Sequence, residues 1–271
     1  MRILFCGDIV GRSGRDALSK HLPKLKESFK IDWIVVNGEN AAAGFGITPS
    51  ICEDLFEMQV DVITTGNHAW DQRQIVDYIK IEPRLLRPIN YPKETPGQGI
   101  GRYKKEGVKD LVVANVMTRL FMDPLDDPFS TVKEALSPFK LEKSLGGIVV
   151  DAHGEASSEK AALAYYLDGS ASLVTGTHTH VPTSDTRILP GGTAFQTDAG
   201  MCGDYNSIIG MEREVAIKKF TSKLPSGRLT PATGEGTVSG ILVDLNDKGL
   251  ADRVFPIIVG GILQQRIPSF S

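Results

Sequence analysis

The sequence predicts an α/β fold, because short buried strands alternate with helical patterns along most of the chain. Apolar runs rich in Val and Ile recur at short intervals, and their apolarity is continuous, as in strands that are buried on both faces. Segments with the apolar spacing of helices lie between several of these runs. After about residue 185 the pattern changes to strands punctuated by glycines, which favours a second sheet.

The apolar runs predict six strands in the first two thirds of the chain. They are Arg2–Cys6, Trp33–Asn37, Asp61–Thr65, Leu111–Val116, Gly147–Asp151 and Ala171–Thr175. None of these runs approaches the ~20 apolar residues that a membrane-spanning helix needs. The N-terminus leads directly into a strand rather than into a signal peptide, so we expect a cytoplasmic protein that does not contact a membrane.

Six helices are predicted around these strands: Ser13–Phe29, Pro49–Met58, Asp71–Ile79, Ser130–Phe139, Ser158–Asp168 and Glu212–Thr221. In the first helix, an apolar stripe runs from Leu18 to Phe29, and Ser13 with Asp16 is predicted to form a capping box. Pro23 should kink or shorten that helix. Asp71 is predicted to cap the third helix.

The C-terminal third predicts a second, more antiparallel sheet. The segments "RILPGGTAFQTDAG" and "GTVSGILVDLNDKGLADRVFPIIV" resemble glycine-punctuated strands, and the second should form a hairpin that turns at Asn246–Gly249. No repeat or low-complexity linker interrupts the chain. We therefore expect a single domain, residues 1–271, with two sheets and with helices on the outside.

Charge and cysteine content exclude several classes of protein. The net charge of −3 gives no electrostatic argument for a large nucleic-acid surface or an anionic membrane as partner. The three cysteines are odd in number and widely spaced, which argues against a disulfide framework and fits a reducing compartment. Any nucleotide that the protein handles is expected to be small.

Polar side chains that can bind metal follow the predicted strands. "GD", "NGEN" and "GNH" come after the first three strands, and "DAHGE" and "GTHTH" come after later ones. Ligands of open α/β sheets bind outside the carboxyl ends of the strands, so these groups can converge although they are far apart in sequence. The candidate metal ligands are Asp8, Glu39, Asn40, Asn67, His153, His178 and His180.

This donor set favours a transition-metal site. Imidazole, carboxylate and amide oxygen without thiolate suit iron, manganese or zinc better than magnesium or calcium. Seven candidates exceed what one ion uses, so two ions are predicted, with a carboxylate shared between them. Taken alone, Asp8 could instead cap a loop, "NGEN" could be a turn, and His68 could be either a ligand or an acid.

The motifs together resemble the calcineurin-like metallophosphoesterase superfamily. More narrowly, "GDIVG", "NGENAAAGFGIT", "GNHAWD", "HGEASSEK" and "GTHTHVPTSD" are similar to the YmdB-type bacterial cyclic-nucleotide phosphodiesterases, in order from Met1 to about Met201 and on toward the C-terminus. Val10 stands where most of the superfamily has the histidine of D-x-H, and Glu39 stands in place of an aspartate. The narrower family shares both changes, so they favour it.

The resemblance implies a fold, a site and a reaction. The fold is a four-layer α/β/β/α sandwich of two mixed sheets flanked by helices. One metal is held by Asp8, Glu39, Asn40 and His180, and the other by Asn67, His153, His178 and the shared Glu39. A metal-bridging hydroxide attacks the phosphorus, and His68 is the general acid that protonates the departing ribose oxygen. Iron is the metal that the family implies.

Three functions stay open at this stage. The first is a dimetal phosphodiesterase that acts on small 2′,3′-cyclic or 3′,5′-cyclic nucleotides, and the resemblance implies that it is a homo-oligomer. The second is a phosphomonoesterase or nuclease that uses the same metals. The third is a metal-binding regulator without activity, against which the presence of His68 beside seven candidate ligands argues.

Overall fold

Two mixed β-sheets form the centre of the computed structural model, which describes residues 1–141, 145–222, 225 and 227–268. The first sheet has the strand order β13-β12-β1-β3-β4. Its strands are β1 (Arg2–Cys6), β3 (Trp33–Asn37), β4 (Val62–Thr64), β12 (Val238–Leu245) and β13 (Ala251–Val259). Strands β1, β3 and β4 are parallel to one another, and the β12–β13 hairpin pairs antiparallel with β1.

The second sheet has the strand order β5-β6-β7-β8-β10-β9. Its strands are β5 (Ile100–Lys105), β6 (Val108–Met117), β7 (Leu145–His153), β8 (Leu173–Thr177), β9 (Arg187–Ile188) and β10 (Ala194–Gln196). Strands β6, β7, β8 and β10 are parallel, with antiparallel strands at both edges. Two short strands, β2 (Asp8–Ile9) and β11 (Met201–Cys202), pair beside the main sheets.

Helices cover the outer faces of both sheets. They are α1 (Gly11–Phe29), α2 (Pro49–Glu57), α3 (Ile75–Tyr78), α4 (Pro128–Leu136), α5 (Ser157–Tyr166) and α6 (Arg213–Thr221). Helices α1 and α2 pack on the first sheet, and α4 and α5 pack on the second. The result is the four-layer α/β/β/α sandwich that the resemblance implies. None of the helices in the described ranges is long and apolar enough to cross a membrane.

The sandwich explains why the sequences of central strands such as β1 are apolar on both faces. In β1, Leu4 and Cys6 belong to the core under α1 and α2, whereas Ile3 and Phe5 belong to the core between the two sheets. Successive side chains of a strand point to opposite faces, and here both faces are covered. Burying both faces contributes about 1.5–3 kcal/mol for each large aliphatic side chain.

The expectation of a separate antiparallel sheet is wrong. The C-terminal hairpin forms and turns after Leu245 as predicted, but β12 pairs with β1 and thereby extends the first sheet. Strands β9 and β10 extend the second sheet instead. The turn is determined locally, whereas the edge on which a hairpin docks depends on long-range pairing that glycine punctuation does not reveal.

Two predicted helix starts are also wrong. Helix α1 begins at Gly11 with Val10 at its N-cap, so Ser13 lies buried inside the helix and forms no capping box. The helix continues through Pro23 to Phe29 rather than being shortened. Helix α3 begins at Ile75, and Asp71 does not cap it but contacts His68 in the preceding loop.

Candidate metal centre

The residues predicted to form the site lie together, where carboxyl ends of strands from both sheets meet. The set comprises Asp8 in β2, Glu39 and Asn40 after β3, Asn67 and His68 after β4, His153 at the end of β7, and His178 and His180 after β8. Most of these side chains are buried. The sandwich thus brings groups from distant parts of the sequence to one edge, as the strand-end argument predicts.

Glu39 lies at the middle of this set. Its Oε2 accepts a hydrogen bond from the His68 backbone N–H at 3.1 Å, and its Oε1 lies 3.2 Å from His153 Nε2. Glu39 is fully buried, yet Oε1 has no hydrogen-bond partner among the described residues. Gly66 leaves the room that this packing needs, because a Cβ there would lie 2.3 Å from Glu39 Oε2 and from the His153 ring.

A chain of hydrogen bonds fixes the orientation of His153. Thr177 Oγ1 donates to Asp151 Oδ1 at 2.7 Å, so it accepts from His153 Nδ1 at 2.9 Å. Asp151 also accepts hydrogen bonds from Asn37 and Thr64. Nδ1 of His153 therefore carries a proton, and Nε2 is the nitrogen that faces Glu39 and Asn67. Such outer partners orient metal-binding histidines.

His180 and Asn40 form a second contact pair within the site. His180 Nδ1 donates to the Ile209 carbonyl at 2.7 Å, so Nε2 is the unprotonated nitrogen of the neutral ring. Asn40 Nδ2 donates to the Gly44 carbonyl, which turns Oδ1 toward His180 Nε2 at 3.3 Å. A nitrogen lone pair and an amide oxygen thus face each other, as two ligands of one metal would.

Asp8 and His178 approach the same region from opposite sheets. The His178 backbone N–H donates to Asp8 Oδ2 at 3.0 Å, and Asp8 Oδ1 lies 3.9 Å from His153 Nδ1. The rings of His153 and His178 contact edge to face, with centroids 4.9 Å apart. Glu39, His153 and His178 each offer a ligand atom within 4.8 Å of the other two.

His68 lies at the cavity surface, where the Asp71 carboxylate holds its ring. Its Nδ1 lies 2.8 Å from Asp71 Oδ2, and its ring packs edge to face against Phe45. Because the carboxylate accepts, Nδ1 carries a proton, and Nε2 is left to exchange a proton with a bound molecule.

A buried ion pair supports the loop that carries His178 and His180. Lys160 on α5 donates to Asp198 Oδ2 and to the Thr177 carbonyl, both at 2.8 Å, and both charged side chains are fully buried. Asp198 Oδ2 also accepts from the Thr179 N–H at 3.1 Å. His178 and His180 have positive φ values of 97° and 65°, which are uncommon for residues other than glycine. The ion pair therefore holds a strained loop.

Burial and the neighbouring charges shift the pKa values of the titratable side chains in the site. Burial raises the pKa of Asp8 well above its usual range, with partial compensation from His153. Burial opposes ionisation of both Glu39 and His153, but their mutual attraction outweighs it and lowers the pKa of Glu39 while it raises the pKa of His153. Burial, together with the neighbouring charge of His153, lowers the pKa of His178 to about 3.

These residues fit a transition-metal centre. The set provides carboxylate oxygens, imidazole nitrogens and amide oxygens, and the buried Glu39 Oε1 lacks a hydrogen-bond partner among the described residues. A buried carboxylate oxygen of this kind is costly without a cation beside it; here the nearest cationic group is the His153 ring, 3.2 Å away, which a bound metal ion would replace. The three cysteines are unpaired and lie outside the set, so the donor chemistry is that of mixed N/O sites for iron, manganese or zinc.

The centre opens into a cavity of about 460 Å³. Its lining includes the polar residues Glu39, Asn40, His68, His178 and His180. It also includes the apolar residues Phe45, Ile209, Met211 and Leu229. The cavity can accommodate a small molecule that carries both an anionic and an apolar part.

Sequence reasoning missed two contributions to the site. The first is the contact of Asp71 with His68. The sequence predicts Asp71 as a helix cap, because an aspartate before a helical pattern usually serves that purpose. Lys160 is the last residue of the motif "HGEASSEK", but no role is predicted for it. It shares the buried face of α5 with Leu163 and Ala164, and a lysine on an apolar face is a signal that a buried partner exists.

Comparisons with known proteins agree with the fold. A model of the family described as YmdB-like protein matches residues 4–257. A 2′,3′-cyclic-nucleotide 2′-phosphodiesterase of Bacillus subtilis (strain 168) is 49% identical over 248 residues, which cover 92% of each chain.

Two crystal structures are also similar to this chain. A hypothetical protein from Thermus thermophilus has a TM-score of 0.89 and 40% identity, covering 97% of this chain and 100% of that one. A novel phosphatase from Mycoplasma pneumoniae has a TM-score of 0.89 and 29% identity, covering 96% of this chain and 93% of that one. The chain therefore belongs to the YmdB-like family.

Proposed function

We propose that this chain hydrolyses 2′,3′-cyclic nucleotides at the 2′ ester bond with two metal ions, and that 3′,5′-cyclic nucleotides are a second substrate class. The chain is a phosphoric diester hydrolase, as its family membership and the name of its Bacillus subtilis relative support. The observation that carries the dimetal proposal is the buried cluster around Glu39, whose Oε1 has no hydrogen-bond partner among the described residues, beside His68 at the cavity surface.

Seven side chains would hold the metals. Asp8, Glu39, Asn40 and His180 would bind one ion, and Asn67, His153, His178 and Glu39 the other. The Asn40–His180 contact and the Glu39–His153–His178 cluster support this division. We propose iron, with manganese or zinc as alternatives, because the donors are nitrogen and oxygen without thiolate. When bound, two metals would lower the pKa of a water nucleophile and neutralise charge on the phosphoryl oxygens.

His68 would act as the general acid. In the cyclic substrate the 2′ oxygen must leave the phosphorus, and an alkoxide leaving group needs a proton. His68 lines the cavity, and its Nδ1 is held by Asp71, so Nε2 can deliver that proton. Asp71 would then stabilise the imidazolium before it gives up its proton and would fix the orientation of the ring.

The test begins with the metals and proceeds to a substrate panel. Protein purified without oxygen should contain two metal ions per chain by elemental analysis. It should convert adenosine 2′,3′-cyclic phosphate to adenosine 3′-monophosphate, and it should act less well on the monoester p-nitrophenyl phosphate. Metal-loaded protein that hydrolyses no cyclic nucleotide would overturn the proposal. A preference for the monoester would indicate a phosphomonoesterase instead.

A further inference from the structure

A second cavity, also of about 460 Å³, adjoins the candidate metal centre. It shares His180, Val181 and Ile209 with the cavity described above, so these residues form a ridge between the two. Each volume lies within the range of roughly 300–1,000 Å³ that small-molecule sites occupy. The two cavities therefore meet at these three residues, and a ligand that occupied both would lie across them.

The two cavities differ in chemistry. Glu39, Glu155 and three histidines line the first, whereas none of the described residues that line the second is an aspartate or glutamate. Its walls include Met201, Ile258 and Leu263. The first cavity suits a metal-bound phosphate ester, and the second suits a planar, largely apolar group.

Two exposed side chains that line the second cavity, Gln264 and Arg266, carry polar atoms that can bind a ligand, whereas its hydroxyl groups are engaged within the protein. The Tyr205 hydroxyl accepts from the Met201 N–H at 2.8 Å and donates to the Met201 carbonyl at 3.0 Å. The Ser207 hydroxyl donates to the Asp204 carbonyl and accepts from the Gly210 N–H. Gln264 lines the same cavity and is exposed, so its amide offers a donor and an acceptor to the edge of a base.

Two of the three ridge residues, Val181 and Ile209, are exposed, whereas His180 is buried. Ile209 has a φ of 47°, a conformation that is an outlier for a β-branched residue, and the residue is 54% exposed. Its carbonyl accepts the hydrogen bond from His180 Nδ1. Val181 beside it is 53% exposed. Such strain is maintained at functional sites, and here it presents apolar surface next to a candidate metal ligand.

We propose that the second cavity binds the nucleobase of the substrate, with Val181 and Ile209 under the nucleoside and Gln264 at the edge of the base. This inference rests on the proposed function. It adds that the enzyme recognises the base of the cyclic nucleotide, since a cyclic phosphate without a base would leave the second cavity unused. The base would contribute binding energy, while the phosphate remains at the metal centre.

The test fills the second cavity and compares two substrates. Leu263→Trp should raise the KM for adenosine 2′,3′-cyclic phosphate by about tenfold or more. The variant should hydrolyse methyl β-D-ribofuranoside 2′,3′-cyclic phosphate with a kcat/KM within about twofold of that of the parent protein, because that substrate carries the same ester and no base. The matched control is Ile262→Trp, since Ile262 is 65% exposed and does not line the cavity.

Three results would overturn the inference. The first is an unchanged KM for the adenosine substrate in Leu263→Trp. The second is an equal loss with both substrates. The third is the same equal loss of kcat/KM accompanied by a change in the molar mass of Leu263→Trp, measured by light scattering. That result would indicate that the cavity lies at a surface between copies of the chain. Thermal unfolding of both variants checks that each is folded.

Binding of adenosine 3′-monophosphate separates this inference from the proposed function, because it requires no turnover. Metal-loaded parent protein should bind it about tenfold or more tightly than Leu263→Trp does. If the parent hydrolyses no cyclic nucleotide but shows this difference, the proposed function fails and the base subsite stands. If parent and variant bind it equally, the base subsite is wrong whatever the enzyme hydrolyses.

Discussion

His68 Nδ1 and Asp71 Oδ2 are 2.8 Å apart, which couples the proposed acid to a carboxylate three residues later in the chain. The contact forms within the loop between β4 and α3, before the helix starts at Ile75. The backbone of the same residue donates a hydrogen bond to Glu39 Oε2, so His68 is held by Asp71 through its ring and by Glu39 through its backbone.

Replacing His68 with alanine should reduce turnover and leave both metals bound. General acids contribute about 10²–10⁴-fold to rate, so kcat on adenosine 2′,3′-cyclic phosphate should fall by a similar factor. Metal content and kcat should be measured on the same sample. Full activity with two metals would remove His68 as the acid, and loss of metal would make it a ligand.

Asp71→Asn should lower kcat by about tenfold without changing metal content, because the amide cannot stabilise the imidazolium as a carboxylate does. A double-mutant cycle gives the decisive comparison. In the His68→Ala background, Asp71→Asn should have no further effect, since Asp71 acts through His68. Asp77→Asn is the matched control, because Asp77 is exposed and pairs only with Lys80 among the described residues. An equal effect in both backgrounds would contradict the coupling.

Glu39→Gln should reduce metal content from two ions per chain to one or none, since Glu39 is proposed to bind both. Asp8→Asn should lose the ion that Asp8 is proposed to hold. The control is Glu235→Gln, which should keep both ions, because Glu235 is exposed and pairs with Lys20 on the surface. Elemental analysis after dialysis measures the outcome. Two retained ions in Glu39→Gln would exclude its role as a shared ligand.

The sequence predicts the position of the site better than its supporting contacts. Asp8, Glu39 and His153 follow strands whose carboxyl ends must meet at one edge, so their convergence follows from topology. The contact between Lys160 and Asp198 joins a helix to a loop 38 residues away, and no local pattern encodes that distance. Asp71 has a recognisable local position, at the start of a predicted helix and three residues after His68. That position suits a helix cap and a partner of His68 equally, so the sequence does not distinguish them.

The fold shows the same division between local and long-range information. Strand β1 is predicted residue by residue, because continuous apolarity reflects burial on both faces. Strand β5 is missed, since it is a partly exposed edge strand with charged residues at several positions. The hairpin of β12 and β13 is predicted, but its pairing with β1 is not, because that contact spans almost the entire chain.

Lys160→Met should destabilise the protein by about 3–5 kcal/mol, because it leaves the buried Asp198 carboxylate without its cation. Metal affinity should fall as well, since the Thr177 carbonyl and the loop carrying His178 lose their support. The double variant Lys160→Met/Asp198→Asn should recover part of the stability. Lys80→Met removes a surface ion pair and should cost less than about 1 kcal/mol. Urea unfolding measures all three, and equal costs at Lys160 and Lys80 would contradict the role of the buried pair.

Metal binding should release protons, and metal affinity should therefore fall as the pH falls. In the metal-free protein, burial acts against the charge of His153, but the charge of Glu39 outweighs burial and raises the pKa of His153. Its Nδ1 donates to Thr177 and its Nε2 lies 2.9 Å from Asn67 Oδ1, so the ring carries both protons. Burial also raises the pKa of Asp8. Both groups hold protons at pH values where free side chains would have lost them, and a metal must displace these protons.

The number of protons released can be measured by titration calorimetry in buffers of different ionisation enthalpy at neutral pH. The apparent affinity should be weaker at about pH 6 than at about pH 8, because more ligand is protonated there. Glu39→Gln removes the charge that raises the pKa of His153, so any ion that this variant still binds should release fewer protons. Binding without proton release, or with an affinity that rises as the pH falls, would show that His153 and Asp8 are not ligands in the proposed protonation states.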